Sequence, residues 1–434
     1  MRIAYASTTY ASSGSGALYT SSSFPCFANC KALKTVIFED GDRPISFTDA
    51  TPGFTTPTGV LYANEIFYGC PLTSLYLGRT LEDSPSKGLF QNFSTLTDVK
   101  IGPYVKSIQN YAFRNCKGIT TITIPSTVIK LGSSSFDNCT KLTSAFIGDG
   151  LSILPYGTFS SCINLEEVYI GNGLKNIESS VFSQCAKLKV VVLCSSEIES
   201  VESANIPSNI KFYVPRTESY NIILNGLPIE NIGTISGGEY EYTGTTPQLR
   251  VVPSISVITL SVSDNSSFVN AGTYSEFIPI NISYSDKWSS SFKLSADFSI
   301  LKAPLTVIAN DASRKYGMEN PELTCSFFGF KNGETKDVLT RLPNVETTAT
   351  MSSNVGTYPI IPTGAEAQNY TFNYERGTLT ITKADQTIEW DQQLGTANVG
   401  DVIELTATSS AGLPIKYTST DETIAEIFSQ GGKK

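Results

Sequence analysis

A 23-residue repeat in the first half of the chain constrains its fold more than any other feature. In each regular copy a Phe stands three residues before a Cys, and apolar residues follow that Cys after three, six and eight positions. The regular copies contain Cys116, Cys139, Cys162 and Cys185. Looser copies begin at Phe27, Phe67 and Phe90, and the strand-like segment at Ile210–Pro215 ends the series. Self-similarity at a fixed period is typical of solenoids.

The repeat predicts a ladder of parallel strands. Its L-x-x-V-x-I segment reads as a short strand whose apolar residues face inward, and a single strand cannot bury that face alone. Stacked coils place successive strands about 4.8 Å apart over one continuous core. We therefore expect Leu142, Ala145 and Ile147 to stack on Leu165, Val168 and Ile170.

The second half of the chain repeats a different unit. Tyr242-Thr-Gly, with the later segment NAGTY, is matched by Tyr316-Gly with NVGTY, and alternating runs between Gly and Asn turns read as strands. The predicted fold class is mainly β, a solenoid of period 23 followed by small β-rich modules in tandem. The predicted divisions are a solenoid over 1–215, a linker over 216–233, β modules over 234–302 and 303–383, and a partial module over 384–434.

The F-x-x-C-x-x-L-x-x-[VI]-x-[IL] unit resembles the BspA-type leucine-rich repeats of bacterial surface proteins, although it lacks the Asn ladder of ordinary leucine-rich repeats. The two later modules are similar to MBG-type β domains. The segment from Gln386 resembles the opening of a bacterial Ig-like domain. These resemblances imply a cell-surface or secreted protein, sometimes an adhesin, and they identify no ligand. Because the last module is incomplete and no secretory leader is recognisable, we expect the sequence to be a piece of a longer protein.

Composition and charge exclude several classes of partner. The formal net charge is −9 with a pI near 4.9, and Lys and Arg form no cluster. Nucleic acid and anionic membrane both require clustered basic residues, so neither is expected as a main partner. No apolar run reaches the length of a membrane-spanning helix.

The residue types also argue against catalysis. The chain contains no His, which removes the Ser-His-Asp and Cys-His arrangements and every His-containing zinc site. No glycine loop for a nucleotide is present, and acidic pairs such as Glu166 and Glu167 are adjacent in sequence without a convergent partner. We expect no enzyme activity, no metal and no cofactor. The regularly spaced cysteines are interpreted as buried small hydrophobes, free of disulfides, rather than as a thiol metal array.

One column of side chains suggests a binding surface. In L-x-x-V-x-I the residue between V and I points outward from the sheet. This column contains Ile37, Tyr76, Lys100, Thr123, Phe146, Tyr169 and Val192. Rows of exposed aromatic residues can mark a binding site, although the same residues also suit strands for their β propensity alone. The predicted site is centred on Phe146 and Tyr169, with Tyr76 further along and with Glu167 and Ser144 at its margin.

The working function is adhesion to, or recognition of, an extracellular protein or glycan by the sheet face of the solenoid, with the β modules as a stalk. Two alternatives to this function remain open. In the first the chain is a structural spacer without a ligand, and in the second it is the accessory part of a larger surface enzyme.

Overall fold

The computed structural model describes residues 2–3, 27, 29–46, 67–82, 88–202, 206–220, 224 and 226–428. Parts of the predicted solenoid, including residues 4–26 and 47–66, lie outside the described residues. Contacts divide the chain into two compact units. The first unit contains Met1–Tyr240 and Thr246–Ile300, and the second contains Glu241–Thr245 and Leu301–Lys434.

Within the described residues of the first unit, the regular elements are strands joined by turns and one short helix, α1, at Thr217–Tyr220. Its strands in the repeat region are β1 (Arg2–Ile3), β2 (Thr35–Phe38), β3 (Ile45–Ser46), β4 (Ser74–Leu77), β5 (Leu81–Glu82), β6 (Asp98–Ile101), β7 (Ser107–Ile108), β8 (Thr121–Ile124), β9 (Lys130–Leu131), β10 (Ser144–Ile147), β11 (Ile153–Leu154), β12 (Glu167–Ile170), β13 (Asn176–Ile177), β14 (Val190–Leu193), β15 (Ser200–Val201) and β16 (Lys211–Val214). They are followed by β17 (Ile229–Asn231), β18 (Gly233–Ile235), β19 (Gly238–Glu241), β20 (Val251–Pro253), β21 (Thr259–Val262), β22 (Gly272–Tyr284) and β23 (Trp288–Leu301).

The longer repeat strands form the predicted parallel ladder. One sheet has the order β1-β2-β4-β6 and the next β17-β16-β14-β12-β10-β8. In β10 and β12, Ala145 lies opposite Val168 and Ile147 opposite Ile170, so the expected stacking is confirmed. The two-residue strands form smaller parallel sheets, such as β11-β13-β15. Each coil therefore contributes one longer and one shorter strand around a single buried core.

The Phe and Cys columns stack inside the solenoid. Successive Phe rings lie nearly parallel, with 5.2 Å between the centroids of Phe113 and Phe136. Each cysteine thiol donates to a backbone carbonyl of the preceding coil, for example Cys139 Sγ to Phe113 O at 3.2 Å. The thiols are free. The thiols therefore fill space in the core as small buried groups, and they also donate hydrogen bonds to turn carbonyls. The second role was not predicted from the sequence.

A short ladder of asparagines runs along the turns, one position before the Cys column. Asn115 Nδ2 donates to Asn92 Oδ1 and Asn138 Nδ2 to Asn115 Oδ1, each at 2.7 Å. These three asparagines have positive φ, between 59° and 72°. Asn tolerates this left-handed backbone better than most residues, so the ladder both forms the turn and bridges successive coils.

The segment 216–233 was predicted to be a linker. In the structure it contributes a strand to the solenoid sheet. Its strand β17 adds to the parallel ladder, with Ile229 opposite Phe212 and Asn231 opposite Val214. Tyr220 of α1 is buried and donates its hydroxyl to Ser195 O. The ladder therefore continues past the last recognisable repeat.

A long antiparallel hairpin dominates the rest of the first unit. Strands β22 and β23 pair from Gly272 and Ile300 to Tyr284 and Trp288 at the tip, and the four-stranded sheet has the order β19-β23-β22-β21. Alternate residues of β23 are buried along its whole length. The segment predicted as a separate module over 234–302 instead lies largely within the same compact unit as the solenoid.

The second unit contains a two-sheet β module. Its elements are β24 (Ala303–Ala309), β25 (Ala312–Lys315), β26 (Cys325–Phe328), a 3-10 helix (Lys336–Val338), β27 (Asn344–Thr347), β28 (Gly356–Thr363), β29 (Tyr370–Glu375), β30 (Gly377–Thr382), β31 (Ile388–Glu389) and β32 (Thr408–Ser409). The two sheets have the orders β26-β24-β29 and β25-β30-β28-β27. Between 384 and 428 the described strands are the pair β31 and β32, so the Ig-like interpretation of that segment stays a prediction.

Candidate recognition surface

The predicted aromatic pair has the expected geometry. Strands β10 and β12 hold Phe146 directly opposite Tyr169 in register. Their ring centroids are 5.3 Å apart and their planes differ by 14°, which is a stacked arrangement. Parallel strands in register impose this spacing, because neighbouring strands lie about 4.8 Å apart.

The aromatic pair is nevertheless buried, so the prediction that it forms an exposed platform for an external partner is wrong. Phe146 and Tyr169 are both 0% exposed. The tip of the β22–β23 hairpin covers them. The ring of Tyr284 lies 5.0 Å from Phe146 and 4.9 Å from Tyr169, and the ring of Trp288 lies 5.6 Å from Tyr169.

Hydrogen bonds fix the hairpin tip on the sheet. Trp288 Nε1 donates to Ile147 O at 2.8 Å, which satisfies the indole N–H in a buried setting. Ser290 Oγ donates to Asp149 Oδ1 at 2.6 Å. Asn172 Nδ2 donates to Ser291 Oγ at 3.2 Å. Because each bond joins a ladder strand end or turn to the same hairpin, the contact has one defined geometry.

The predicted polar residues Glu167 and Ser144 do lie at the margin of the aromatic pair. Ser144 Oγ donates to Glu167 Oε1 at 2.9 Å and Tyr169 OH donates to Glu167 Oε2 at 2.9 Å. Tyr284 OH adds a third donor, 3.3 Å from Oε1. Burial and the neighbouring Glu167 charge raise the pKa of Tyr169 above its usual range. The cluster therefore keeps Tyr169 protonated and ties the hairpin to the ladder.

The remaining predicted residue, Tyr76, lies apart from this cluster. Its hydroxyl donates to Asp40 Oδ1 at 2.7 Å, and this hydrogen bond raises the Tyr76 pKa. Lys100 is its register partner on β6. The structure thus does not bring Tyr76 together with Phe146 and Tyr169.

The outward column is divided into two parts. The covered part contains Phe146, Tyr169 and Val192, all buried. The open strip consists of Ile37, Tyr76, Lys100 and Thr123, of which the first two are half-buried and the last two exposed. Among these seven residues, those of the open strip are the ones accessible to a binding partner.

Sequence reasoning missed the residues that cover the pair, Tyr284, Trp288 and Ser290. One signal was present. The alternation WSSSFKLSADFSIL continues for 14 residues, longer than the strands of most small modules, so its outer part needs a covering surface from elsewhere. Nothing in the alternation identifies that surface.

Within the described residues, no helix is long and apolar enough to cross a membrane. The described residues also contain no group of three His, Cys, Asp or Glu side chains arranged to hold a metal ion.

Comparison with solved structures finds bacterial leucine-rich proteins. A leucine rich cell surface protein from Faecalibacterium prausnitzii is 19% identical, with 48% of this chain and 56% of that chain covered and a TM-score of 0.25. A leucine-rich repeat protein from Bacteroides ovatus is 17% identical, with 48% and 54% covered and a TM-score of 0.31. The leucine rich repeat protein of T. pallidum is 19% identical, with 36% and 83% covered and a TM-score of 0.23. The chain spans about half the length of the first two proteins.

No significant match is found among curated proteins. Two family descriptions match parts of the chain. Residues 83–211 match the BspA type leucine rich repeat region in 6 copies, and residues 305–380 match the MBG domain of YGX type. Together with the parallel ladder and the β module, these matches identify a BspA-type leucine-rich-repeat region followed by an MBG domain.

Proposed function

We propose that the chain is part of a bacterial cell-surface or secreted recognition protein that binds an extracellular protein through the open strip of the solenoid sheet. The observation that carries the proposal is the division of the sheet face. The chain's own hairpin covers the aromatic pair, while Lys100 and Thr123 remain exposed on the same rigid ladder.

The chemistry of the open strip favours a protein partner. Tyr76 presents an aromatic ring beside Lys100, and Asp40 and Asp98 add acceptors at the two sides. Asp98 Oδ2 accepts from Ser74 Oγ at 3.0 Å, which fixes its carboxylate. A Tyr among mixed charges and hydroxyls is typical of the interfaces that proteins form with each other.

The MBG domain acts in this proposal as a stalk that displays the solenoid, and the chain has no catalytic activity. Support comes from the BspA-type region and the MBG domain, which follow each other along the chain.

The test is binding of the full chain to a panel of immobilised extracellular matrix proteins and, in parallel, to a glycan array. We expect saturable binding to at least one protein. Lys100→Glu and Tyr76→Ala should each weaken it about tenfold, because central aromatic and charged residues dominate interfaces. The matched controls are Lys130→Glu, on β9, and Tyr104→Ala, a residue 46% exposed and outside the outward column. Equal effects of the controls, or binding to glycans alone, would contradict the proposal.

A further inference from the structure

The first two strands of the MBG module pair in parallel with its last two strands, and the four together are called the ribbon here. Strand β24 pairs with β29, beginning at Ala303 with Tyr370. Strand β25 pairs with β30, ending at Lys315 with Thr382. The register offset is 67 residues at both ends (370 − 303 and 382 − 315), so the two stretches of pairing share one register and are separated by residues 309–311.

The ribbon passes from one sheet of the module to the other. Its first half, β24 and β29, belongs to the sheet with β26, and its second half, β25 and β30, to the sheet with β28 and β27. It is thus the element that both sheets share. Since parallel strands rise about 3.3 Å per residue, its 13 positions from 303 to 315 extend about 40 Å.

Close contacts hold the ribbon together where it changes sheets. A Cβ on Gly377 would lie 2.5 Å from Ala309 O and 3.0 Å from Asn310 O, so only glycine allows the two backbones to approach this closely. Across the same point, Asp311 Oδ1 accepts from Thr378 N at 2.7 Å. The transition between the sheets therefore carries its own hydrogen bond.

Buried side chains stabilise both halves of the ribbon. Leu305 and Val307 of the first half and Leu379 of the second are fully buried. Arg314 of the second half is 7% exposed and binds this half to neighbouring segments. Its Nε donates to Asn320 Oδ1 at 2.7 Å, and its Nη2 donates to Thr350 O at 2.5 Å. The strands that join the module to the rest of the chain are therefore among its most firmly held.

This topology decides how the module responds to tension along the chain. The pulled chain enters at the start of β24 and leaves at the end of β30, which are opposite ends of a parallel ribbon. Such a load acts along the strands and stresses the ribbon's interstrand hydrogen bonds together, whereas a load on the same end of two paired strands breaks them one after another. Forced unfolding is governed by the unfolding barrier, and simultaneous rupture raises that barrier.

We propose that residues 303–382 form a load-bearing module, in which the parallel terminal ribbon carries tension in shear. This function is additional to recognition by the solenoid and needs no ligand. It suits a segment placed between a binding surface and an attachment point, because an interaction at the surface transmits force only if the connecting modules stay folded.

The test is single-molecule force spectroscopy of the full chain with two placements of the handles. In the shear geometry the handles are at the two chain ends. In the unzipping geometry one handle is inserted in the loop beside Met318, which is 60% exposed, and the other stays at the C-terminal end. The second geometry loads Lys315 and Thr382, which are register partners at the same end of the ribbon.

The extension identifies the module's own rupture. Roughly 80 residues at about 3.5 Å each give about 280 Å of chain, and the folded ribbon already spans about 40 Å of it, so rupture in the shear geometry releases about 240 Å. We expect a rupture force severalfold higher in shear than in unzipping. Equal forces, or a lower force in shear, would overturn the proposal. Because no ligand is present, this outcome is independent of whether the recognition proposal holds.

A substitution tests the same point within one geometry. Gly377→Ala inserts a Cβ against the backbone of the opposite strand, so the shear rupture force of the folded variant should fall clearly. Gly395→Ala is the control, because no neighbouring atom lies within 4 Å of its Cβ position. If Gly377→Ala does not fold, the comparison of the two handle geometries on the unsubstituted chain still decides. An unchanged force in folded Gly377→Ala would count against the ribbon as the load-bearing element.

Discussion

Trp288→Ala should detach the hairpin tip from the solenoid while leaving the ladder folded. Trp288 is only 5% exposed and contributes the ring contact with Tyr169 and the hydrogen bond to Ile147 O. Replacing a buried Trp with Ala costs about 3–5 kcal/mol in total. The lost hydrogen bond accounts for about 1 kcal/mol of this cost. We therefore expect the free energy of opening this contact to fall by about 4 kcal/mol.

Cys194 reports the opening. It is 1% exposed, and its thiol lies within hydrogen-bond reach of Ser290 on the hairpin. Burial raises the pKa of this thiol above its usual range, so in the closed state it is both inaccessible and protonated. If the thiol reacts with a maleimide only in the open state, and opening and closing are fast relative to that reaction, a change of about 4 kcal/mol raises the labelling rate of Cys194 by roughly 1000-fold. Peptide mapping by mass spectrometry measures the rate at each cysteine.

Two comparisons make the result interpretable. Cys162 lies in the core column, so its labelling should not change unless the solenoid itself unfolds. The matched control is Trp390→Ala, which removes the chain's other Trp, 50% exposed and in the second unit. The reasoning is refuted if folded Trp288→Ala labels Cys194 at the unsubstituted rate, or if Trp390→Ala accelerates it equally.

Three further predictions concern the solenoid, each measured by urea unfolding followed by circular dichroism. Val168→Asp places a charge at a fully buried ladder position and should cost more than about 3 kcal/mol, whereas Thr123→Asp on the exposed side should be nearly neutral; similar costs for both would contradict the inward and outward assignment. Gly157→Ala should cost about 1 kcal/mol because its φ is +64°, and no loss would mean that this turn is not left-handed. Burial raises the pKa of Cys185 to about 12 from an ordinary value of 9.0, so the stability it contributes is present below pH 9 and is lost as the pH rises towards 12. Cys185→Ala should reduce this alkaline loss and Cys30→Ala should not; identical pH profiles for all three proteins would be inconsistent with a buried, protonated thiol.

The parallel ladder was predictable from sequence because its determinants are local and repeated. A residue such as Val168 has the same neighbours one period away, so the 23-residue spacing fixes both the strand and its register. The Phe and Cys columns follow from the same argument. The thiol hydrogen bonds did not, because apolar spacing says nothing about which turn carbonyls lack a donor.

The burial of the candidate site was not predictable in this way. Trp288 and its partner Ile147 are 141 residues apart, and no periodicity connects them. Alternation along β10 and β12 correctly placed Phe146 and Tyr169 on the outer side of the sheet. It could not show that another part of the chain, the tip of an unusually long hairpin, ends on that side. For the same reason it could not show that β17, within 216–233, extends the ladder, or that most of 234–302 lies in the same compact unit as the solenoid.

A double-mutant cycle between Tyr169 and Trp288 tests most directly whether the chain's own hairpin occupies the aromatic pair. Tyr169→Ala, Trp288→Ala and the double variant are compared with the unsubstituted chain in the free energy of unfolding of the first unit. Their ring centroids are 5.6 Å apart, and aromatic pairs at such distances contribute about 0.5–1.5 kcal/mol beyond the area they bury. We predict a coupling energy of about 1 kcal/mol or more. Additive effects, with a coupling below about 0.3 kcal/mol, would show that the two residues are independent and that the aromatic pair is available to an external partner.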